Sequence, residues 1–200
     1  PSFDVSTVKN RFQAATEHIA TLFTKGYTRF PIAFQCRSTF PAYGSQYEAE
    51  LVTRREGKRY TVVMAERDLR RIAEGLGEDL TEPEITIYAH HPFQAPLLIT
   101  LRNKARQRAS EVHAATPAVS EDAFRHVLWS YLLTKHFGPD LAEAFTGAHE
   151  KGSDNSPAES AMDVANNRVG RNYAMRGYTE SSIHERVIRD PEVVKSPRRR

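Results

Sequence analysis

The stretch from Ser120 to Arg171, SEDAFRHVLWSYLLTKHFGPDLAEAFTGAHEKGSDNSPAESAMDVANNRVGR, decides the fold class and holds the chemistry. It reads as three consecutive helices. Ser120 is the expected N-cap of the first, with Glu121 and Asp122 in its opening turn and Gly138-Pro139 as its stop. Phe124, Val127, Leu128, Tyr131, Leu132 and Leu133 form a wide apolar face, and His126 falls at its edge. The second helix is expected from Asp140 to about Lys151, with Leu141, Ala144, Phe145 and Ala148 at helical spacing, so that His149 and Glu150 in its last turn face the following loop. Pro157 suits the first position of the third helix. There Asp163, Asn167 and Gly170 or Arg171 recur at three- and four-residue steps, while Met162, Val169 and Tyr173 form a separate apolar line. Helices joined by short connections tend to be antiparallel neighbours, which lets one pocket collect all three motifs.

Working outward from this stretch, the pattern changes. Asp4 to Lys25 reads as an amphipathic helix, with Val5, Val8, Phe12, Ala15, Ile19 and Leu22 in one stripe and Gly26 as its stop. From Tyr27 to Met64 the period becomes two, giving three strands of an antiparallel meander in which Cys36 alternates with Phe30, Ile32 and Phe34 on a buried side. Glu66 to Gly75 suggests a short helix presenting Leu69, Ile72 and Leu76, and Ile85, Ile87 and Ala89 a fourth strand ending at His90-His91-Pro92. On a strand two adjacent histidines point to opposite faces and cannot chelate one ion together. Ala95 to Ala115 is helical again, burying Leu97, Leu98 and Leu101 and carrying a basic face of Arg102, Lys104, Arg106 and Arg108. That face is either solvated charge or a contact for an acidic or phosphate-bearing surface. Thr116-Pro117-Ala118 then breaks the helix. The expected architecture is α+β, with residues 1–117 forming a helix plus antiparallel sheet and 118–200 a mainly helical region carrying the site, as two domains or one continuous domain. After Gly177 a short helix, Thr179 to Arg189, leads to a charged tail ending in Arg198-Arg199-Arg200.

With 200 residues, 40% of them hydrophobic, the chain can bury one sizeable core or two small ones. No apolar run approaches the ~20 residues of a membrane-spanning helix, and the N-terminus lacks the apolar core of a secretory signal. Export is therefore expected to use another route. A single cysteine excludes an intrachain disulfide and any cysteine-rich metal centre. The net charge of +3 is only mildly basic, so a dedicated nucleic-acid binder is not favoured.

The chemistry must come from the three-helix stretch. Two adjacent asparagines inside a helix are poor helix formers and demand compensating hydrogen bonds. Histidine, carboxylate and amide oxygen are compatible ligands for a divalent metal ion, the candidate cofactor, while arginine suits a phosphate or carboxylate. His-Glu-x-x-His, a P-loop, a Gly-x-Ser-x-Gly elbow and an EF-hand loop are all missing. The order still suits acid–base work, with His149 or Glu150 activating water and arginine or asparagine stabilising the developing charge.

Asp122-Ala123-Phe124-Arg125-His126-x-x-Trp129, then Ala148-His149-Glu150, then Met162-Asp163-x-x-Asn166-Asn167-x-x-Gly170-Arg171 resemble a little-characterised bacterial family at the C-terminal ends of secreted, polymorphic-toxin-type proteins. The resemblance stops short of residues 1–119. It implies an antibacterial toxin or effector, carried by a secretion apparatus or carrier protein into a target cell and countered by a cognate immunity protein. It also implies Arg125, His126, His149, Glu150, Asp163, Asn166, Asn167 and Arg171 as the site. The leading expectation is a hydrolase, metal-assisted or metal-free, acting on a cell-envelope or phosphodiester substrate. His126, His149, Glu150 and Asp163 would do the chemistry, with Arg125, Asn166, Asn167 and Arg171 binding substrate. The alternatives are a lysozyme-like peptidoglycan glycosidase with Glu150 as general acid and Asp163 as its partner, or a non-enzymatic binding module.

Overall fold

A computed structural model describes residues 29–36, 45–56, 59–75 and 78–197. The expected N-terminal helix, the Phe40–Gly44 loop and the arginine tail lie outside the described residues. So does the side chain of Cys36. The chain divides into two compact units, Pro1–Leu97 and Leu98–Arg200. The architecture is α+β.

In the first unit the alternating pattern becomes three antiparallel strands, β1 (Arg29–Cys36), β2 (Ser45–Glu56) and β3 (Arg59–Met64), in the order β1-β2-β3. Phe34 faces Tyr47 across the first pair and Leu51 faces Met64 across the second. Helix α1 (Glu66–Gly75) follows and buries Leu69, Ile72 and Ala73.

Residues 85–89 form a helix, not the expected fourth strand. Helix α2 (Glu82–Ala89) starts with a complete capping box, in which Glu84 N–H donates to the Thr81 hydroxyl and Thr81 N–H donates to the Glu84 carboxylate, with proline in the first turn. These reciprocal bonds satisfy two otherwise orphaned donors and outweigh the weak alternation of Ile85 and Ile87. His90 is the C-cap and its Nδ1 lies 2.8 Å from the Thr86 carbonyl, a helix-end contact.

Helix α3 (Ala95–Ala115) crosses from one unit to the other. The division falls inside it, while the Thr116-Pro117-Ala118 break marks its end. The second unit is built on α4 (Glu121–Phe137), α5 (Pro139–Gly152) and α6 (Pro157–Met175), followed by a 3-10 turn (Glu180–Ser182) and α7 (Ile183–Arg189). Ser120 caps α4 as expected, and Ser156 caps α6 in a second capping box with Glu159. Gly138, at φ +86°, ends α4 and begins α5, a backbone conformation that glycine adopts without penalty. Val127, Leu128, Leu133, Phe145, Val169, Tyr173, Ile183 and Val187 are all buried in this unit.

Helices α4 and α6 approach each other closely at Gly170. A Cβ on Gly170 would meet the Val127 carbonyl oxygen at 2.2 Å and the Tyr131 nitrogen at 3.0 Å. Only a glycine lets the two backbones come this close, and the contact sets Asp163 and Asn167 beside His126. Among the described residues no helix is long and apolar enough to cross a membrane.

Candidate functional site: a buried histidine among three carboxylates

His126 lies inside the helical unit, only 1% exposed, not at the edge of the apolar face where the sequence placed it. Three helices surround it with polar groups. From its own helix, one turn earlier, comes Asp122, with Oδ1 3.6 Å from Nε2. Helix α6 brings Asp163 Oδ1 to 3.4 Å from the same nitrogen. On the far side of the ring, Glu150 of α5 places Oε1 3.5 Å from Nδ1. Arg125 bridges the outer edge, donating from one nitrogen to Asp122 Oδ1 and, at 3.0 Å, to His126 Nε2. A guanidinium only donates, so Nε2 accepts, and the neutral ring carries its proton on Nδ1, toward Glu150.

A second ring of groups fixes these carboxylates. Asn167 Nδ2 donates to Glu150 Oε1 at 3.0 Å, and Asn155 Nδ2 donates to Asp163 Oδ2 at 2.9 Å. Even so, His126 Nδ1, Glu150 Oε2, Asp163 Oδ1 and Asn167 Oδ1 are buried without a hydrogen-bond partner. Each such orphan costs about 1–3 kcal/mol in a packed core, so four from adjoining residues is a large concentration of unmet polarity.

The two aspartates respond oppositely to this environment. Contact with His126 first, and then the charge of Arg125, holds Asp122 below the ordinary aspartate range. Asp163 is pushed up to about 6, chiefly by burial and then by the charges of Asp122 and Glu150. A carboxylate between two others holds its proton longest.

Above the ring a narrow cleft of about 20 Å³ is lined by Arg102, Arg106, Arg125, His126, Trp129 and His149. That is room for one small polar guest or the tip of a larger one. The His149 ring meets Trp129 edge-on at 5.3 Å and lies 6.3 Å from the His126 ring, which puts it at the mouth. Arg102 and Arg106 come from the basic half of α3; Arg102 is buried and Arg106 exposed, and both border the cleft. Lys104 and Arg108 instead pair with Glu180 and Glu111.

Of the residues singled out from the sequence, the helices bring Arg125, His126, His149, Glu150, Asp163 and Asn167 together. The other two face elsewhere. Both edges of the Asn166 amide are taken by the Val194 backbone at 2.9 Å, which clasps the C-terminal segment to α6. Arg171 lies 3.6 Å from Glu143, near the start of α5. Glu150 is also buried, at 9% exposure, where a loop-facing side chain was expected. The buried face of α5 holds Phe145 and Ala148, as expected, and also Ala142, Thr146 and Glu150, while Leu141 is half-buried and Ala144 exposed. Asp122 and Asn155 went unrecognised. Asp122 stands four residues before His126, a spacing that puts both on one helix face, but as a first-turn acid it reads equally well as a helix-dipole residue.

Residues 85–193 match the family described as Domain of unknown function (DUF6973), which takes in the whole site together with α3, α7 and the last five residues of α2. The chain belongs to that family. No curated protein and no solved structure matches it.

Proposed function

We propose that the chain is the hydrolytic module of a secreted antibacterial effector, acting on a cell-envelope or phosphodiester substrate. The observation that carries the chemistry is His126, buried among Asp122, Asp163 and Glu150 from three helices, with four polar atoms left unpaired around it. A fold that needed only packing would have apolar residues there, because buried charge networks add little net stability. The effector context comes from the motif resemblance, as do delivery by a secretion apparatus or carrier protein and neutralisation by an immunity protein.

In this reading His149, at the mouth, takes the proton from the attacking water and returns it to the leaving group. Arg125, Arg102 and Arg106 offset the negative charge that develops on the substrate. Glu150 and Asn167 orient His126 from behind. The arginine lining favours the phosphodiester over a neutral bond.

The glycosidase alternative fits less well. Glu150 and Asp163 approach opposite nitrogens of one imidazole, so the ring fills the gap in which a glycosidase pair would hold a sugar.

Expression in a bacterial host, directed separately to cytoplasm and periplasm, tests the reading. The wild type is expected to stop growth in at least one compartment, and His149→Ala to relieve the arrest while remaining folded. Arrest only in the periplasm points to the envelope. Normal growth with wild-type protein in both compartments overturns the effector reading.

A further inference from the structure

We infer that Asp122, His126 and Asp163 form a binding site for one divalent transition-metal ion of the manganese or zinc type. Each offers one ligand atom, and these atoms all lie within 4.8 Å of one another. Donors around an ion with bonds of about 2.0–2.2 Å are separated by about 3–4.4 Å, so modest closure brings all three onto one centre.

Clustered acids alone do not make a site, but two further observations point to a cation. Asp163 Oδ1 is buried without a hydrogen-bond partner and is directed at His126 Nε2, 3.4 Å away. Nε2 carries a lone pair, so three acceptor atoms converge, and Asp163 Oδ1 has no hydrogen-bond donor among the described residues. On the Asp122 side the place is held by Arg125, whose one nitrogen touches both Asp122 Oδ1 and Nε2. A guanidinium already sits where a metal ion would, bound by two of the same three atoms. Its side chain is 37% exposed and has room to swing outward, as has Asp122 at 40%.

One imidazole nitrogen with two carboxylate oxygens is too oxygen-rich for copper(I). Its nitrogen favours manganese, iron or zinc over magnesium or calcium. The second shell is in place as well. Asn155 steadies Asp163, and the Nδ1–H of His126 faces Glu150, the arrangement that fixes the tautomer of a metal-binding histidine. The cleft above His126 is the size of one or two ligand waters. Arg125 thus becomes a competitor, so metal binding expels it toward the cleft, where it meets substrate.

This inference uses the centre proposed above, but it is tested without substrate. The full chain, stripped with a chelator, is titrated calorimetrically with Mn²⁺ and, separately, Zn²⁺. One ion per chain is expected, at micromolar affinity or better. Asp163→Asn and Asp122→Asn should each weaken binding at least 10-fold, and Arg125→Ala should tighten it several-fold. His90→Ala, remote in sequence and engaged at a helix end, should change nothing. Because His126→Ala risks misfolding, the half-exposed Asp122 carries the decisive arm. No binding of either ion at millimolar concentration, or binding untouched by both aspartate substitutions, overturns the site. Binding by a protein that arrests no growth leaves the site standing and removes the effector function.

Discussion

At the scale of single residues, environment sorts chemically similar groups into different roles. Glu150 shows this best. It is buried and accepts from Asn167, so Glu150→Ala strips Asn167 of its partner and opens a cavity, which should lower stability by about 2–4 kcal/mol. Glu150→Gln keeps the shape and should cost no more than about 1 kcal/mol while still abolishing growth arrest. Equal retention of arrest by the glutamine variant would remove Glu150 from the chemistry. Asp163 makes a second prediction, for chelator-treated protein. Its folded pKa of about 6 lies above the unfolded value near 3.9, so between those values the folded chain holds a proton that the unfolded chain has released. Stability should therefore fall as pH rises from about 4 to about 6 and level off above. Asp122, shifted down, acts below that window and in the opposite sense, lost as pH falls through its lowered pKa. Asp163→Asn should flatten the slope and stabilise the metal-free chain near neutrality by about 1–2 kcal/mol. Chemical denaturation at pH 4.5, 5.5 and 7 shows this directly, and an unchanged slope in the variant contradicts it.

At the scale of elements, periodicity was a good guide wherever packing alone decides. Helices α1, α3, α4, α5 and α6 stand close to where apolar spacing, caps and Gly-Pro stops put them. It failed at α2 because two alternating isoleucines outweighed a Thr81-x-x-Glu84 capping box and Pro83, which are stronger physical signals over so short a run. It also left Glu150 off the buried face of α5, which holds Phe145 and Ala148 as expected but extends round the helix to Ala142, Thr146 and Glu150. The two asparagines were read correctly as needing partners, but the partners of Asn166 and Asn167 lie 28 and 17 residues away, beyond any local pattern. Gly170 carries the most testable element-scale claim. Gly170→Ala drives a methyl into the Val127 carbonyl, so α4 and α6 must separate. A loss of about 3 kcal/mol or more is expected, together with loss of growth arrest as Asp163 moves away from His126. A melting temperature within a degree of wild type would mean that the crossing is looser than described.

For the whole molecule, the α+β class was legible because a period-two region and a period-3.6 region are separated along the chain. That one site would gather from three helices was legible from the repeated off-stripe polar residues. Its outermost carboxylate, Asp122, was not, since the partners of a first-turn acid depend on what the neighbouring helices supply. The helical unit thus encloses a charged centre at a cost in stability. Asp122→Asn puts this to the most direct test, because Asp122 is 40% exposed and contributes little packing, yet it belongs to the centre. Growth arrest and melting temperature are measured side by side for this variant and for wild type. The account predicts a melting temperature within about 4 °C of wild type, the shift for roughly 1 kcal/mol in a chain of this size, with growth arrest reduced at least 100-fold in inducer response. Full arrest at an unchanged melting temperature, or arrest that fades only in step with a large fall in stability, would contradict it.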